Sequence, residues 1–211
     1  MPVFSLPSPY GIGTLGKGAY KFADWLKASG AGIWQVLPAG PTGYGDSPYQ
    51  SFSSFAGNPY FIDPDMLCGD GILPEKDLPR KLPEGKAIDY GALYASRRQM
   101  LQAAYEHSGK RLKSETDEFL ASHPDIRDYA LFMALKDKFG GRCWHDFPKC
   151  LVRREKSALE KYKKLLADRT DYYVFEQYLF FSQWKSLRGY VNSLGIEILG
   201  DMPIYVAPDS A

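Results

Sequence analysis

Two features of this chain could do chemistry. One is Asp201, a carboxylate inside the β-rich, largely apolar run Ile196-Glu-Ile-Leu-Gly-Asp-Met-Pro-Ile-Tyr-Val206, with no obvious cation nearby in sequence. A charge near the end of a buried strand is costly unless it has partners or a task, and in an α/β barrel that position points into the mouth of the active site. The other is Gly43-Tyr-Gly-Asp-Ser-Pro-Tyr-Gln-Ser-Phe-Ser-Ser-Phe-Ala-Gly-Asn-Pro59, which has three Gly, two Pro, four aromatics and one carboxylate in seventeen residues. Such a stretch cannot form a regular element, yet it carries rings and donors that a plain solvent loop has little use for. It follows directly on the strand-like run Gly32-Ile-Trp-Gln-Val-Leu-Pro38, so it reads as an aromatic binding floor at a strand's end.

Other candidate chemistries are weaker. Gly11-Ile-Gly-Thr-Leu-Gly16 fits G-x-G-x-x-G ahead of a helix, the pattern of a dinucleotide turn. A true turn of that kind passes straight from strand into glycines, whereas Pro7 and Pro9 intervene here, and the next strand ends Leu37-Pro38-Ala39 rather than in an acidic ribose clamp. Cys143-Trp-His-Asp-Phe-Pro-Lys-Cys150 lacks the compact four-ligand spacing of a zinc site, and His107 and His123 are scattered in sequence. Asp46-Ser47 with a distant His offers nothing evidently placed to orient a base for a nucleophilic triad. No metal and no organic cofactor is expected.

The elements that would position Asp201 and the loop follow from periodicity. Gly18 to Ser29 repeats Ala19, Phe22, Ala23 and Leu26 on one face and ends at Gly30, which predicts an amphipathic helix. Met1 to Leu6 reads as the end of a strand, Ile33 to Leu37 as a second strand buried on both faces, and Ile196 to Val206 as a third. Strand, helix, strand implies a right-handed βαβ unit. Helical periodicity covers Asp89 to about Gly109 and Ile126 to Phe139, stopped by Gly140-Gly141. Asp171 to Ser193 is the longest predicted helix, with Val174, Tyr178, Phe181, Trp184, Leu187 and Val191 in one stripe. Residues 64–170 therefore read as a mainly helical insertion, whose basic run Arg153 to Lys164 is interleaved with Glu155 and Glu160 like a solvated helix face.

Composition narrows the partners. With 26 basic and 25 acidic residues, the formal net charge of +1 creates no field to recruit nucleic acid or acidic membranes. No apolar run approaches the roughly 20 residues that cross a bilayer and no leader pattern opens the chain, so a cytoplasmic location is expected. Three cysteines, Cys68, Cys143 and Cys150, suit reduced, buried thiols rather than a disulfide framework. Aromatic usage, with 15 Tyr, 12 Phe and 4 Trp, is the outlier. Most of these rings serve packing, but amphipathic rings also stack on sugar faces while their polar tips bind hydroxyls.

Five stretches together carry a resemblance: Ser5-Leu-Pro-Ser-Pro-Tyr-Gly-Ile-Gly13, Trp34-Gln-Val-Leu-Pro38, Gly40 through Ser53, Phe55-Ala-Gly-Asn-Pro59 and Gly200-Asp-Met-Pro-Ile-Tyr-Val206. Asp89-Tyr-Gly-Ala-Leu-Tyr94, Tyr129-Ala-Leu-Phe-Met-Ala-Leu135 and Gln177-Tyr-Leu-Phe-Phe-Ser-Gln-Trp184 add to it. The chain resembles the 4-α-glucanotransferases, also called amylomaltases or disproportionating enzymes, of glycoside hydrolase family 77. The resemblance runs from end to end.

It implies an α/β fold, a (β/α)8 barrel represented here by its first three strands, with residues 1–63 and 171–211 in the barrel and 64–170 as the helical insertion after the second strand. It also implies transfer of α-1,4-glucan segments between maltodextrins with retention, through a covalent glycosyl-enzyme and without a cofactor. That chemistry needs a carboxylate nucleophile and an acid/base carboxyl roughly 5 Å apart. In the family both follow the third strand, so they are expected beyond Ala211, no catalytic residue lies in this chain, and the 211 residues alone are expected to be inactive and unstable, since parallel edges would be left uncovered. By position, Ser47 and Tyr49 resemble residues on the donor-sugar side of the cleft, and Asp201 resembles an Asp that hydrogen-bonds the sugar at the cleavage point. Tyr44 and Tyr94 resemble a second, remote glucan-binding pair. A non-catalytic α-glucan-binding protein and an α-glucan hydrolase remain open as alternatives.

Overall fold

Along the chain the protein forms helix α1 (Lys17–Ala28), strand β1 (Ile33–Gln35), helices α2 (Pro64–Gly69), α3 (Tyr90–Ser108), α4 (Lys113–Ser122), α5 (Asp125–Lys138), α6 (Lys149–Val152), α7 (Lys156–Leu165) and α8 (Ala167–Ser193), and strand β2 (Glu197–Leu199). This is a computed structural model, and it describes residues 1–43, 45–81, 87–203 and 207–211.

Local chemistry sets several helix ends. Asp63 and Asp89 cap α2 and α3, their side chains accepting from the amides of Met66 and Ala92. Pro64 fills the first position of α2, where a missing N–H costs nothing. Gly140 and Gly141 follow α5 with φ of 67° and 77°, and Gly195 follows α8 at 76°, conformations that let the chain leave the helix and turn back.

Helix α8 organises the rest. Its 27 residues span about 40 Å, and it packs against α5 above all, and also against α1, α3, α4, α7, β2 and the short turn Pro59–Phe61. From Tyr172 to Gln177 every residue is buried. The predicted single stripe therefore understates α8, which is enclosed on all sides over these turns and begins at Ala167 rather than Asp171. One apolar cluster runs from Val3 and Leu6 through Trp34 and Phe61 to Leu93, Ile126, Phe175 and Val191, and a smaller one gathers Leu131, Leu135, Phe147, Leu151 and Ala158.

The sheet departs from expectation. Met1 to Leu6 is no strand: Val3–Ser5 forms a 3₁₀ turn, closed by Leu6 N donating to Val3 O at 3.1 Å. The strand-helix-strand unit around α1 is therefore not formed. Instead β1 pairs in parallel with β2, Ile33 opposite Glu197 and Gln35 opposite Leu199, with all the intervening helices in the crossover. Both strands are shorter than read from sequence, although Val36 N adds one more bond, to Leu199 O at 2.9 Å. Nor is β1 buried on both faces. Trp34 is 2% exposed while Ile33 is 58% exposed, because only one side of the pleat meets a packed layer among the described residues. Asp201 likewise lies just past β2 on the exposed surface rather than inside a buried strand. The three cysteines are free, as expected, but half-buried rather than buried. The basic run on α7 is largely exposed.

Candidate functional site

Parallel pairing solves the positional problem, since chains leaving the same end of two neighbouring strands emerge side by side, where open α/β sheets bind ligands. The loop after β1 and the segment after β2 leave in this way.

The loop is held by its own small polar residues. Thr42 bridges Ser51, and Gly43 N donates to Gln50 O at 2.9 Å, closing a short excursion. Within it Asp46 N donates to Gly43 O at 3.1 Å, with Gly45 at φ 88° and Asp46 at φ 55°. A left-handed conformation is tolerated by Asp better than by most residues. Ser51 Oγ donates to Ser53 O, and Ser53 Oγ accepts from the amides of Phe55 and Ala56, so the repeated serines supply the partners that an irregular backbone lacks.

Behind the loop, two glutamines of α8 act as tethers. Gln177 accepts from Gly57 N at 2.7 Å and donates to Gly57 O at 3.0 Å, and Gln183 does the same with Asp63 at 2.7 and 3.1 Å. Each amide pairs with a peptide as a neighbouring strand would. Gly57 allows the approach: a Cβ there would lie 1.9 Å from Phe180. The glycine fingerprint has a similar origin. A Cβ on Gly13 would strike Val3 O, and one on Gly16 would strike the Asp63 carboxylate, which also accepts from Thr14 Oγ1 at 2.6 Å. These glycines are needed for close packing.

Of the residues singled out from sequence, three come together. Ser47 Oγ accepts from Tyr49 N at 3.3 Å, and Tyr49 donates its hydroxyl to Asp201 Oδ2 at 2.7 Å across 152 residues. The bond to Asp201 pushes the Tyr49 hydroxyl above its ordinary pKa, with partial burial adding to it. Tyr94 stands on α3, 57% exposed, its hydroxyl accepting from Arg98 at 2.9 Å. Tyr44 lies outside the described residues.

Beside the loop, a cavity of about 770 Å³ is walled by Tyr60, Tyr94, Arg97, Tyr129, Lys136 and Glu176, among others. Desolvation raises the Glu176 carboxyl to about 7 and the Tyr60 hydroxyl to about 12. Arg97 is 2% exposed, its Nε and Nη2 without hydrogen-bond partners among the described residues, and burial lowers it to about 10. Sequence reasoning missed Glu176, Gln177, Gln183 and Arg97. The available signal was a polar residue interrupting an apolar helix.

Chemically, a tyrosine hydroxyl committed to a carboxylate leaves the other carboxylate oxygen free to accept from a ligand hydroxyl, next to a ring face that can stack on a sugar. No described helix is long and apolar enough to cross a membrane.

The comparisons with known proteins agree with one another. A family model described as 4-alpha-glucanotransferase matches residues 1–211. The 4-alpha-glucanotransferase of Clostridium butyricum is 44% identical over 214 residues, covering 100% of this chain and 44% of that protein. That of Thermus thermophilus is 47% identical over 212 residues, covering 98% of this chain and 42% of its own length. Among solved structures, amylomaltase from Streptococcus agalactiae in complex with acarbose superposes with a TM-score of 0.95 at 40% identity, covering 100% of this chain and 43% of that one. The chain thus spans less than half the length of these relatives. By the family match over its whole length, supported by these relatives, this chain belongs to the 4-alpha-glucanotransferase family.

Proposed function

We propose that this chain is the N-terminal part of a 4-α-glucanotransferase, which moves α-1,4-glucan segments between maltodextrins by a retaining double displacement. The observation that carries the reading is the Tyr49–Asp201 hydrogen bond at the shared end of two parallel strands, in a chain matched by the family throughout. In this reading Ser47, Tyr49 and Asp201 hold the donor sugar at the cleavage point, and Tyr94, with Tyr44, receives a more distant part of the glucan. That the Streptococcus agalactiae amylomaltase was solved with acarbose supports a sugar ligand.

We assign residues 1–63 and 171–211 to a (β/α)8 barrel and 64–170 to a helical insertion. The exposed Ile33, Leu199 and Met202, at 58%, 53% and 77%, support further barrel layers against this sheet. Double displacement needs two carboxyls roughly 5 Å apart, one attacking and one protonating the leaving oxygen. We assign both to polypeptide beyond Ala211. Asp201 then binds and orients rather than attacks.

The test is to incubate the full-length protein carrying this chain with maltotriose. A ladder of longer oligomers plus glucose is the expected product, because transfer requires that an acceptor sugar outcompete water at the glycosyl-enzyme. Shortening alone would make it a hydrolase. Binding without any change in chain length would make it a non-catalytic glucan-binding protein.

A further inference from the structure

The segment after Asp201 is fastened to the helical region by a buried charge. Lys136 on α5 has a side chain only 8% exposed. Its ammonium donates to Arg142 O at 2.9 Å and to Asp209 Oδ2. The other oxygen of Asp209 accepts from Trp144 N at 3.2 Å, and Trp144 Nε1 donates to Pro208 O at 2.8 Å. An ammonium this far out of water is costly without a well-placed counter-ion. That counter-ion comes from eight residues beyond Asp201 and from neither neighbouring turn of α5.

The same attachment reaches the other half of the site. Lys136 stands 5.4 Å from the centre of the Phe52 ring, and Phe52 O accepts from Ala211 N at 2.8 Å. Phe52 is three residues from Tyr49. Among the described residues, two bonds therefore join the loop after β1 to the segment after β2: Tyr49 to Asp201 and Phe52 to Ala211. Asp209 lies two residues from the second of these bonds, clamped by Lys136 and Trp144.

We propose that Asp209, through Lys136 and the Trp144 amide, is a positioning residue that fixes the approach of Asp201 to Tyr49. The inference rests on the reading that Tyr49 and Asp201 hold the glucan. Asp209 touches no substrate in this account. Its loss lets the two segments slide, and a displacement of about 1 Å at a site costs up to about a hundredfold in rate.

The experiment compares wild type, Asp209→Ala, Asp209→Asn, Lys136→Met, Asp201→Ala and the double variant Asp201→Ala/Asp209→Ala in the full-length protein. It measures kcat and KM on maltotriose, maltotriose affinity by calorimetry, and the melting curve. Asp209→Ala and Lys136→Met are each expected to lower kcat/KM by about ten- to a hundredfold. Asp209→Asn should recover only part of the loss, because its one amide oxygen can accept from Trp144 N or from Lys136 but not replace both carboxylate oxygens. The decisive readout is the double variant. If Asp209 acts through Asp201, the double variant binds and turns over no worse than Asp201→Ala alone, whereas a general structural defect multiplies with it. Normal turnover in Asp209→Ala, or independent multiplication of the two losses, overturns the proposal. Should wild type bind maltotriose without transferring it, the activity reading fails while the calorimetric cycle still decides the role of Asp209.

Discussion

The surroundings of α8 and the mouth formed by Tyr49 and Asp201 are built on opposite terms. Around α8, polar groups are buried and mostly paired: Gln177 and Gln183 each pair with both the N–H and the C=O of one residue, Gly57 and Asp63, and Tyr173 donates to Asp137 at 2.9 Å. At the mouth, Asp201 is exposed and one hydrogen bond joins residues 152 positions apart. Pairing in a low dielectric fixes geometry at the risk of a large penalty if one partner goes. An exposed pair risks little and can exchange partners. A binding surface needs the second kind of group carried on the first kind of support, and Gly57 near the end of the loop and Asp63 just after it, both held by α8, are where the two meet.

The contrast is broken most severely at Gln177. Gln177→Leu leaves the buried N–H and C=O of Gly57 without partners, at about 1–3 kcal/mol each, so a loss of about 2–6 kcal/mol is expected. Chemical denaturation of the full-length protein measures it. A midpoint equal to wild type would mean the loop does not depend on α8.

Glu176, the neighbouring residue, gives the interior a pH dependence. Its folded pKa of about 7 lies above the ordinary 4.5, so between these values the native state keeps a proton that the unfolded chain has released. Stability therefore falls as pH rises through that window, and the full cost above it is about 3 kcal/mol. Glu176→Gln should melt like wild type near pH 4 and be more stable by about 3 kcal/mol at pH 8. Equal pH profiles for the two would place the carboxylate in contact with water or a cation.

What the sequence made legible divides along the same line. Helices α3 and α5 could be placed from their periodicity and the Gly140-Gly141 stop, because each signal is local. The length and burial of the strands could not. A nearly continuous apolar run does not say whether both faces meet a layer within these residues, so Ile33 and Asp201, expected inside, are exposed among the described residues. The Gln177 and Gln183 tethers stayed hidden because their partners are backbone peptides, which leave no mark in side-chain pattern. Ser47, Tyr49 and Asp201 were grouped by family resemblance, and no spacing rule joins positions so far apart.

At the mouth, substitutions should act on turnover more than on folding. Asp201→Ala removes a charge-assisted hydrogen bond worth about 1.5–3 kcal/mol, roughly a ten- to hundredfold loss of rate on maltotriose. Tyr49→Phe keeps the ring and loses the donor, so a smaller loss in the same direction is expected. Neither should move the melting curve much, since the groups are solvated once separated. Replacing Tyr94 should instead change product size and long-chain binding more than transfer between small maltodextrins. Unchanged turnover in Asp201→Ala would remove that residue from the site.

The smallest effect, and the one most at odds with a uniformly paired interior, is expected at Arg97. Two of its nitrogens lack partners among the described residues, and the ring of Tyr10, 5.6 Å away, offers only a weak cation–π contact. Asp63 stabilises the charge at a distance without an ion pair, and desolvation outweighs it, which is why the guanidinium titrates low. A methionine fills similar space without a charge to desolvate. Arg97→Met should therefore raise stability by about 1 kcal/mol, the reverse of what truncating a paired buried charge does. A denaturation midpoint that falls instead would show that the guanidinium has a partner when the full-length protein is folded, and Arg97 would then join Gln177 and Gln183 among the paired groups that support the loop.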